Sequence, residues 1–498
     1  MTDEGPSPFI SIQHISKAFA GVQALSDVGL QVKMGEAVCL AGENGSGKST
    51  LIKILAGVEK PDSGSIEIDG KSHASLNPRS SVAAGIQVIF QDFSLFPNLS
   101  VAENIAFSAE LTARKKLVRN AEMRRIAAAV LDRIGVPIDL NARVETLPVA
   151  DKQLVAICRA LVSQARLIIM DEPTTALTDR EVRALLAIIR RLKAEGVAVL
   201  FVSHKLAEIF EVCEKIVVIR NGRLVVDGAT AGFSLDSLAH HMTGRHFIRT
   251  TPVIPEANLP EILAVRGLRR NGLLDDISFS LRAGEVLGIS GLLGSGRTEL
   301  AKALFGLMEV DGGAVAIQGV PTVIRNPGDA IDAGIGYVPE DRLTEGLFLS
   351  QSIARNIAVS RLDDHAGMGG LIDRQGLSAE IDEWLHRLKV VASPDAPVKS
   401  LSGGNQQRIV LARWLAKSPK ILILNGPTVG VDIGSKADIH QVIAALAAAG
   451  IGVIVISDDI PEVLATCHRI LVMRGGRIVE ELAGGSVTES DLAHRLAS

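Results

Sequence analysis

A glycine-rich segment near the start of the chain has the composition and spacing of a phosphate-binding loop. It follows an apolar run, residues 36–41, that predicts a buried strand, and it precedes a helix predicted from Leu51 onward. Glycines let backbone N–H groups surround an anion, and a helix N-terminus adds the positive end of its dipole. In this P-loop, Lys48 would contact the β- and γ-phosphates of a nucleotide and the Ser49 hydroxyl would ligate Mg²⁺. The segment consists of Gly42, Glu43, Asn44, Gly45, Ser46, Gly47, Lys48, Ser49 and Thr50.

Polar side chains that follow other predicted strands supply the remaining chemistry. Asp171 ends an apolar run and can hold Mg²⁺, and Glu172 can orient and deprotonate an attacking water as general base. Gln91 ends another apolar run, where its amide could touch Mg²⁺ or the lytic water. His204 follows the next strand, at the position of a γ-phosphate sensor. Phe19 could stack on adenine, and a place in the core is nearly as plausible for this ring.

Composition excludes several classes of protein. The 498 residues are 47% hydrophobic and 22% charged, with a net charge of −4, which suits a globular chain and gives no support to nucleic-acid binding. The four cysteines are scattered and are expected to be small buried residues, not zinc ligands or disulfides; they are Cys39, Cys158, Cys213 and Cys467. The first residues lack the pattern of a signal peptide, and no apolar run has the length of about 20 residues that spans a bilayer. We therefore expect a soluble protein in a reducing compartment.

Internal repetition determines the predicted architecture. Four landmarks recur in the same order roughly 250 residues later, which indicates a tandem duplication of one unit. The repeated pairs are residues 42–49 with 291–298, 147–153 with 401–407, 167–174 with 421–428, and 220–223 with 474–477. We predict domains over residues 1–247 and 261–498, joined by a Pro-rich linker over residues 248–260.

Within each unit, short apolar runs alternate with segments of helical spacing. In the first unit, residues 167–170 and 197–202 predict buried strands, and residues 179–193 predict an amphipathic helix. Asn221-Gly222 predicts a tight hairpin. Residues 101–143 are rich in Ala, Arg and Leu and predict a helical insert. The pattern favours an α/β nucleotide-binding core with a mostly parallel sheet.

Residues 401–407, Leu-Ser-Gly-Gly-Asn-Gln-Gln, resemble the signature motif of ATP-binding cassette (ABC) ATPases. The tandem arrangement, with Gly-Leu-Leu-Gly-Ser-Gly-Arg-Thr over 291–298 and Tyr-Val-Pro-Glu-Asp-Arg over 337–342, resembles the fused ATPase subunit of bacterial importers for ribose, xylose or galactose. The resemblance implies two P-loop cassettes, each with a mostly parallel sheet core, an antiparallel β part and a helical subdomain. It also implies ATP and Mg²⁺ as cofactors, a polytopic permease and, through it, a periplasmic sugar-binding protein. The chain would then lie peripherally on the cytoplasmic face of the inner membrane.

In the family that this sequence resembles, two cassettes pack head to tail, so that each ATP lies between the P-loop of one and the signature of the other. The first composite site would be complete. Its Mg²⁺ ligands would be Ser49, Gln91 and Asp171, and its opposing wall would be formed by Ser402, Gly403, Gly404 and Gln406.

The second composite site is altered on both sides, and we predict that it does not hydrolyse ATP, because loss of a general base alone lowers a rate by about 10²–10⁴. Its P-loop keeps Gly294, Gly296 and Thr298 but has Arg297 in place of lysine. Asn425 and Gly426 stand where the first unit has its carboxylates, with Asp458 and Glu340 at the positions of His204 and Gln91. The opposing wall has Pro148, Val149, Ala150 and Asp151 in place of the signature residues.

Several alternatives remain open at this stage. Residues 93–100 predict either ordinary core or a groove for a helix of the membrane partner. Nucleosides or a signalling sugar are alternative cargoes, and one or two copies of the chain could serve one permease. A tandem cassette protein acting on ribosomes, a repair ATPase and a binding-only regulator fit less well. Their expected basic linker, zinc cysteines or inactive first site do not match this sequence.

Overall fold

The computed structural model describes residues 8–112, 119–174, 177–203, 205–244, 259–292, 294–367 and 371–497. The chain divides into two compact units, Met1–Phe247 and Ile248–Ser498. His204 and residues 248–258 of the predicted linker lie outside the described residues.

The first unit alternates strands and helices in the manner that its apolar runs predict. Its strands are β1 (Ile10–Phe19), β2 (Val22–Val32), β3 (Ala37–Ala41), β4 (Ser63–Ile68), β5 (Lys71–His73), β6 (Ile86–Ile89), β7 (Leu167–Asp171), β8 (Ala198–Val202), β9 (Lys215–Arg220) and β10 (Arg223–Ala229). Its helices are α1 (Lys48–Leu55), α2 (Pro78–Ala83), α3 (Val101–Thr112), α4 (Asn120–Ile134), α5 (Val149–Val162), α6 (Asp179–Ala194), α7 (Leu206–Val212) and α8 (Leu235–Thr243).

The larger sheet of the first unit is parallel apart from one edge strand. Its order is β10-β9-β3-β8-β7-β6, and only β10 runs antiparallel to its neighbour. Strands β3 and β8 are buried along their whole length, as expected where both faces of a sheet are covered. Because parallel strands end at the same edge, the segments that follow β3, β6, β7 and β8 lie near one another. These are the segments that carry the predicted P-loop, Gln91 and the Asp171-Glu172 pair.

An antiparallel sheet and a helical region complete the first unit. The antiparallel sheet has the order β2-β1-β4-β5, and its apolar side chains share one core with β3 and α1. Helices α3 and α4 pack against each other and against α5, which confirms the predicted helical insert for the described part of residues 101–143. The Asn221-Gly222 hairpin between β9 and β10 is confirmed, with φ of 52° and 74° at its two central residues, the conformation that this dipeptide favours.

The second unit repeats this plan. Its strands are β11 (Glu261–Arg270), β12 (Leu274–Arg282), β13 (Val286–Ser290), β14 (Gly312–Ile317), β15 (Val320–Thr322), β16 (Ile335–Val338), β17 (Ile421–Asn425), β18 (Gly452–Ile456), β19 (Arg469–Arg474) and β20 (Arg477–Ala483). Its helices are α9 (Arg297–Leu304), α10 (Pro327–Asp332), α11 (Ile353–Ala358), α12 (Arg374–Arg387), α13 (Gly403–Leu415), α14 (Ile433–Ala448), α15 (Ile460–Thr466) and α16 (Glu489–Ala497). The sheet orders, β16-β17-β18-β13-β19-β20 and β12-β11-β14-β15, match those of the first unit. The predicted α/β fold with two similar cassettes is therefore confirmed.

All four cysteines are buried free thiols, as predicted. Within the described ranges, no helix is both long and apolar enough to cross a membrane, and no group of three or more His, Cys, Asp or Glu side chains is placed to hold a metal ion.

Candidate nucleotide sites

The first P-loop joins strand β3 to helix α1, and its glycines are required by close backbone approach. Gly47 precedes α1 with φ of 110°, a left-handed conformation that other residues rarely adopt. A Cβ atom at Gly42 would lie 2.2 Å from the carbonyl oxygen of Ile219, and one at Gly47 would lie 2.5 Å from that of Ala24. The loop is thus fixed against the neighbouring strands β9 and β2.

Lys48 is held across this loop by its own backbone. Its ammonium donates hydrogen bonds to the carbonyl oxygens of Gly42, at 2.7 Å, and Glu43, at 2.9 Å. The side chain belongs to the first turn of α1 and is buried, whereas Ser49 beside it is exposed. A buried cation at the N-terminal end of a helix attracts a phosphate, so this part of the loop has the chemistry that its sequence predicts.

The Asp171-Glu172 pair stands at the carboxyl end of β7, two strands from the P-loop strand. Burial of the Asp171 carboxyl, and next the negative charge of Glu172, raise its pKa, whereas the positive charge of Lys48 lowers it. This electrostatic coupling places Lys48 and the two carboxylates in one site. Glu172 has φ of 49°, and its N–H group donates to the carbonyl oxygen of Val202 at 2.9 Å, so the backbone at the general-base position is fixed to β8.

The remaining predicted residues of the first site lie on elements around this edge. Gln91 is exposed just after the end of β6, the strand next to β7. Phe19 is the last residue of β1 and is 42% exposed, so its alternative assignment to the core is wrong. Lys17 lies over the Phe19 ring at 5.3 Å from its centre. This ring belongs to the β1–β2 hairpin, against which Gly47 of the P-loop packs.

In each unit, a buried glutamate that was not predicted from the sequence connects two segments at the end of the site by hydrogen bonds. Glu208 accepts hydrogen bonds from Thr174 at 2.7 Å and Ser203 at 3.3 Å. Glu462 accepts the same pair of bonds from Thr428 at 2.7 Å and Ser457 at 2.6 Å. The recurrence of a glutamate at corresponding positions of the two repeats was the available signal. These hydrogen bonds are thus retained in the second unit, even though Asn425 and Gly426 stand there in place of the two carboxylates.

The described glycines of the second P-loop have the conformation seen in the first, and the cation of this loop pairs with a carboxylate. Gly294 and Gly296 have φ of 80° and 96°, close to the values of Gly45 and Gly47. The Arg297 guanidinium donates to the carbonyl oxygen of Gly291 at 2.8 Å and to the Asp458 carboxylate at 2.8 Å. The charged group that would meet a phosphate is therefore already engaged by a carboxylate of the same unit.

The substitutions at the end of β17 are structurally linked to Glu340. Asn425 ends the strand and is 2% exposed, and Gly426 follows with φ of 59°. A Cβ atom at Gly426 would lie 2.9 Å from Val429 Cγ2 and 3.1 Å from Glu340 Cγ. The Glu340 side chain therefore occupies space beside the position that a general base would take. Where the first unit has a glutamine and a glutamate, the second has a glutamate and a glycine.

The signature segment of the second unit, residues 401–407, begins helix α13. Ser402 is the N-cap, and its hydroxyl accepts from the N–H group of Asn405 at 3.5 Å. A Cβ atom at Gly403 would lie 2.7 Å from the carbonyl oxygen of Gly430, and one at Gly404 would lie 2.1 Å from Ser435 Oγ. The two glycines are thus required for packing inside their own unit, in addition to the predicted approach to a phosphate.

Arg342 connects this signature segment with the loop after β17. Its guanidinium donates to the carbonyl oxygens of Val429 at 2.5 Å and Gly430 at 3.0 Å, and it reaches Gln406 Oε1 at 3.5 Å. The residue closes the Tyr-Val-Pro-Glu-Asp-Arg motif of residues 337–342, from which no contact could be predicted. A signal was available, because the first unit has Phe93 at the corresponding position.

The corresponding segment of the first unit starts helix α5 without these features. Its N-cap is Pro148, which provides no side-chain hydrogen bond, and Val149 is 38% exposed. Partial burial, followed by the negative charge of Glu181, raises the pKa of the Asp151 carboxyl. Glu181 stands at the third residue of α6, where Ser435 stands in α14. A helix start with two nearby carboxylates and no serine is a poor wall for a phosphate.

The fold and the two loops define a class of protein: a duplicated P-loop nucleotide-binding protein, with the full set of catalytic side chain types in one unit only. The family model for ABC transporters matches residues 25–175 and 274–429, one stretch in each unit. The chain belongs to this family and is an ABC transporter ATPase with two cassettes in tandem, which confirms the resemblance.

Relatives with nearly the same length share this organisation. The chain is 42% identical over 493 residues to ribose import ATP-binding protein RbsA 2 of Streptomyces avermitilis, covering 99% of this chain and 97% of the relative. It is 43% identical to ribose import ATP-binding protein RbsA 2 of Burkholderia ambifaria, covering 96% and 95%. It is 41% identical to ribose import ATP-binding protein RbsA of Rhodococcus jostii, covering 97% and 96%. A solved nucleotide-free cassette from an ABC transporter is 26% identical, covers 45% of this chain and 91% of its own, and has a TM-score of 0.41.

Proposed function

We propose that the chain is the ATP-hydrolysing subunit of an importer that drives monosaccharide uptake, with a pentose or hexose as cargo. The observation that carries this proposal is identity of about 42% along nearly the whole chain to proteins named for ribose import. Nucleosides and a signalling sugar remain alternative cargoes, since cargo is chosen by other subunits of such importers.

Hydrolysis is proposed at one composite site, formed by the first P-loop and the signature segment of the second unit. Lys48 binds the phosphates, Glu172 accepts a proton from the attacking water, and His204 contacts the γ-phosphate. Ser402, Gly403 and Gly404 face that phosphate from a helix N-terminus. Support comes from the pattern of losses, because the surviving P-loop and the surviving signature lie in different units. Two independently active cassettes would each have kept both parts.

Mg²⁺ is proposed as the metal of this site. The Ser49 hydroxyl, the Gln91 amide and the Asp171 carboxylate offer oxygen ligands, which Mg²⁺ prefers, and it is usually bound by one or two such carboxylates together with substrate phosphates. Bound Mg²⁺ would neutralise charge on the phosphates. Lys48 is held beside this site by its bonds to the carbonyl oxygens of Gly42 and Glu43, where its ammonium would meet the phosphates.

The second composite site is proposed to hold no hydrolytic activity. It lacks a carboxylate at both positions 425 and 426, and its P-loop cation is paired with Asp458. The opposing helix start, at Pro148, has neither a hydroxyl cap nor glycines.

Permease subunits and, through them, a periplasmic sugar-binding protein are the proposed partners, which would hold the chain at the cytoplasmic face of the inner membrane. Each unit offers an exposed aromatic side chain on the loop that follows the Gln91 or Glu340 position. Phe96 is 47% exposed and Phe348 is 56% exposed. Both are fixed by a fully buried asparagine, Asn104 or Asn356, that bonds the N–H and C=O groups of the phenylalanine. Two similar apolar sites suit a permease with two similar halves.

Uptake measurements in cells that lack this chain test the proposal. Labelled ribose, xylose and galactose should enter when the wild-type chain is restored, and uptake of at least one should fail with Glu172→Gln. Glu211→Gln is a matched control, because this exposed glutamate of α7 pairs with Arg190. Restored uptake of a nucleoside alone would support the alternative cargo, and no change in any uptake would contradict an importer function.

A further inference from the structure

The cation of the second P-loop has an internal anion as its partner. Arg297 is 6% exposed, and its guanidinium is 2.8 Å from the Asp458 carboxylate. The two residues lie 161 positions apart, and Asp458 follows strand β18, which neighbours the P-loop strand β13. The ion pair therefore depends on the sheet order and brings a negative charge to the P-loop.

In the first unit, the corresponding cation bonds to two carbonyl oxygens of its own loop. Lys48 donates to Gly42 and Glu43 carbonyls. Arg297 keeps the bond to the carbonyl of Gly291 and adds a bond to the Asp458 carboxylate. A carboxylate on a guanidinium resembles a phosphate oxygen on the same group in charge and in hydrogen bonding.

The described glycine and serine residues of the second P-loop have close contacts similar to those of the first. A Cβ atom at Gly291 would lie 2.4 Å from Ser295 Oγ. The backbone therefore approaches the serine of its own loop closely, as it also does at Gly42. Ser295 Oγ is fully buried and has no hydrogen-bond partner among the described residues, as is also true of Ser46 Oγ. The loop leads into α9 in the manner that positions N–H groups for an anion.

Charged side chains border a cavity beside the start of α9, and carboxylates outnumber cations among them. A cavity of about 430 Å³ is bordered by Thr298 and Asn425 and by three carboxylate side chains, Glu340, Asp341 and Glu345, with Lys302 and Arg342 as its cations. Asn425 is neutral where the first unit has Asp171.

We propose that the second P-loop selects a nucleoside diphosphate over a triphosphate, and that Asp458 is the residue that determines this preference. The loop backbone holds the β-phosphate, and the Asp458 carboxylate lies on Arg297 where a γ-phosphate would otherwise bind. A triphosphate has to displace this carboxylate and places its extra charge beside it. Nucleotide binding at the second P-loop is part of this proposal, which does not depend on hydrolysis at the first site.

The test uses the full chain with Lys48→Ala, which weakens the first site, and measures binding of ADP and of a non-hydrolysable ATP analogue by equilibrium dialysis with Mg²⁺. We expect ADP to bind at least about tenfold more tightly than the analogue, because of the like charge next to the bound phosphate. Adding Asp458→Asn should remove most of this difference by improving binding of the triphosphate.

Asp459→Asn is the matched control. It removes one negative charge next in sequence, where the carboxylate pairs with Lys436 and caps α15, and asparagine keeps the cap. The preference for ADP should survive this change. Equal binding of both nucleotides in the Lys48→Ala chain, an unchanged preference after Asp458→Asn, or no binding of either nucleotide would overturn the proposal.

Photolabelling with azido-ADP and azido-ATP in the chain with Lys48 intact supplies a second measurement, since peptide mapping assigns each label to one unit. The second unit should be labelled by the diphosphate in preference to the triphosphate. ATPase activity of the wild-type chain, abolished by Glu172→Gln, is measured separately, so a failure here is distinguishable from a failure of the proposed function.

Discussion

Gly426 offers a quantitative test of how closely the second unit is packed around the position that Glu172 takes in the first unit. Its φ of 59° costs about 1 kcal/mol for a residue with a side chain. A Cβ atom would also lie 2.9 Å from Val429 Cγ2 and 3.1 Å from Glu340 Cγ. Both neighbouring side chains are exposed and can move, so this crowding should cost about 1 kcal/mol, the low end for overpacking. We expect Gly426→Ala to reduce the free energy of unfolding of the second unit by about 2 kcal/mol.

Gly426→Glu adds a carboxylate next to that of Glu340. Since Glu340 is exposed, the repulsion is small, about 0.5 kcal/mol beyond the alanine variant. Adding Glu340→Gln to the Gly426→Glu chain should restore the stability that the repulsion removes, because it recreates the glutamine and glutamate of the first unit. Glu340→Gln should not restore stability in the Gly426→Ala chain, because no second charge is present there.

The two tryptophans make the assay specific for the second unit. Trp384 and Trp414 both lie in this unit, and the chain has no others, so tryptophan fluorescence in urea follows its unfolding in the full chain. Gly475→Ala is the matched control, since Gly475 has φ of 53° but open space around its Cβ position. It should cost about 1 kcal/mol, the backbone part alone. Equal losses of unfolding free energy for Gly426→Ala and Gly475→Ala would refute the predicted crowding at Gly426. If Glu340→Gln recovers no stability in the Gly426→Glu chain, the predicted repulsion between the two carboxylates is refuted.

The remaining predictions concern catalysis by the full chain. Glu172→Gln should leave ATP binding intact while lowering steady-state hydrolysis by about 10² or more, and hydrolysis near the wild-type rate would contradict the assigned general base. Arg297→Ala should lower hydrolysis far less than Lys48→Ala does in the same phosphate-release assay; equal losses would contradict the asymmetry of the two sites. Asn425→Asp combined with Gly426→Glu should not add a second hydrolytic site while the first unit lacks a signature, and a doubled turnover per chain would show the reverse.

Local sequence was sufficient for the features that depend on neighbouring residues. The P-loops, the strand that ends at Asp171 and the Asn221-Gly222 hairpin all follow from short segments, because glycine conformation, strand burial and turn geometry are determined within a few residues. The duplication was visible without any structure, since two copies of one pattern lie in one chain. Comparison of the two copies also identified Arg297, Asn425 and Gly426 as altered positions of the second unit.

Pairing between distant residues was decided by the tertiary structure alone. The order β16-β17-β18-β13 brings Asp458 to Arg297, and the fold of the second unit places Glu340 beside Gly426 and Ser435 against Gly404. A sequence pattern predicts that a strand forms but not which strand becomes its neighbour, and side chains that are distant in sequence meet only once that order exists. The opening P-loop and its repeat therefore looked like an intact and an altered copy of one motif. The structure adds that the Asp458 carboxylate pairs with the cation of the second loop.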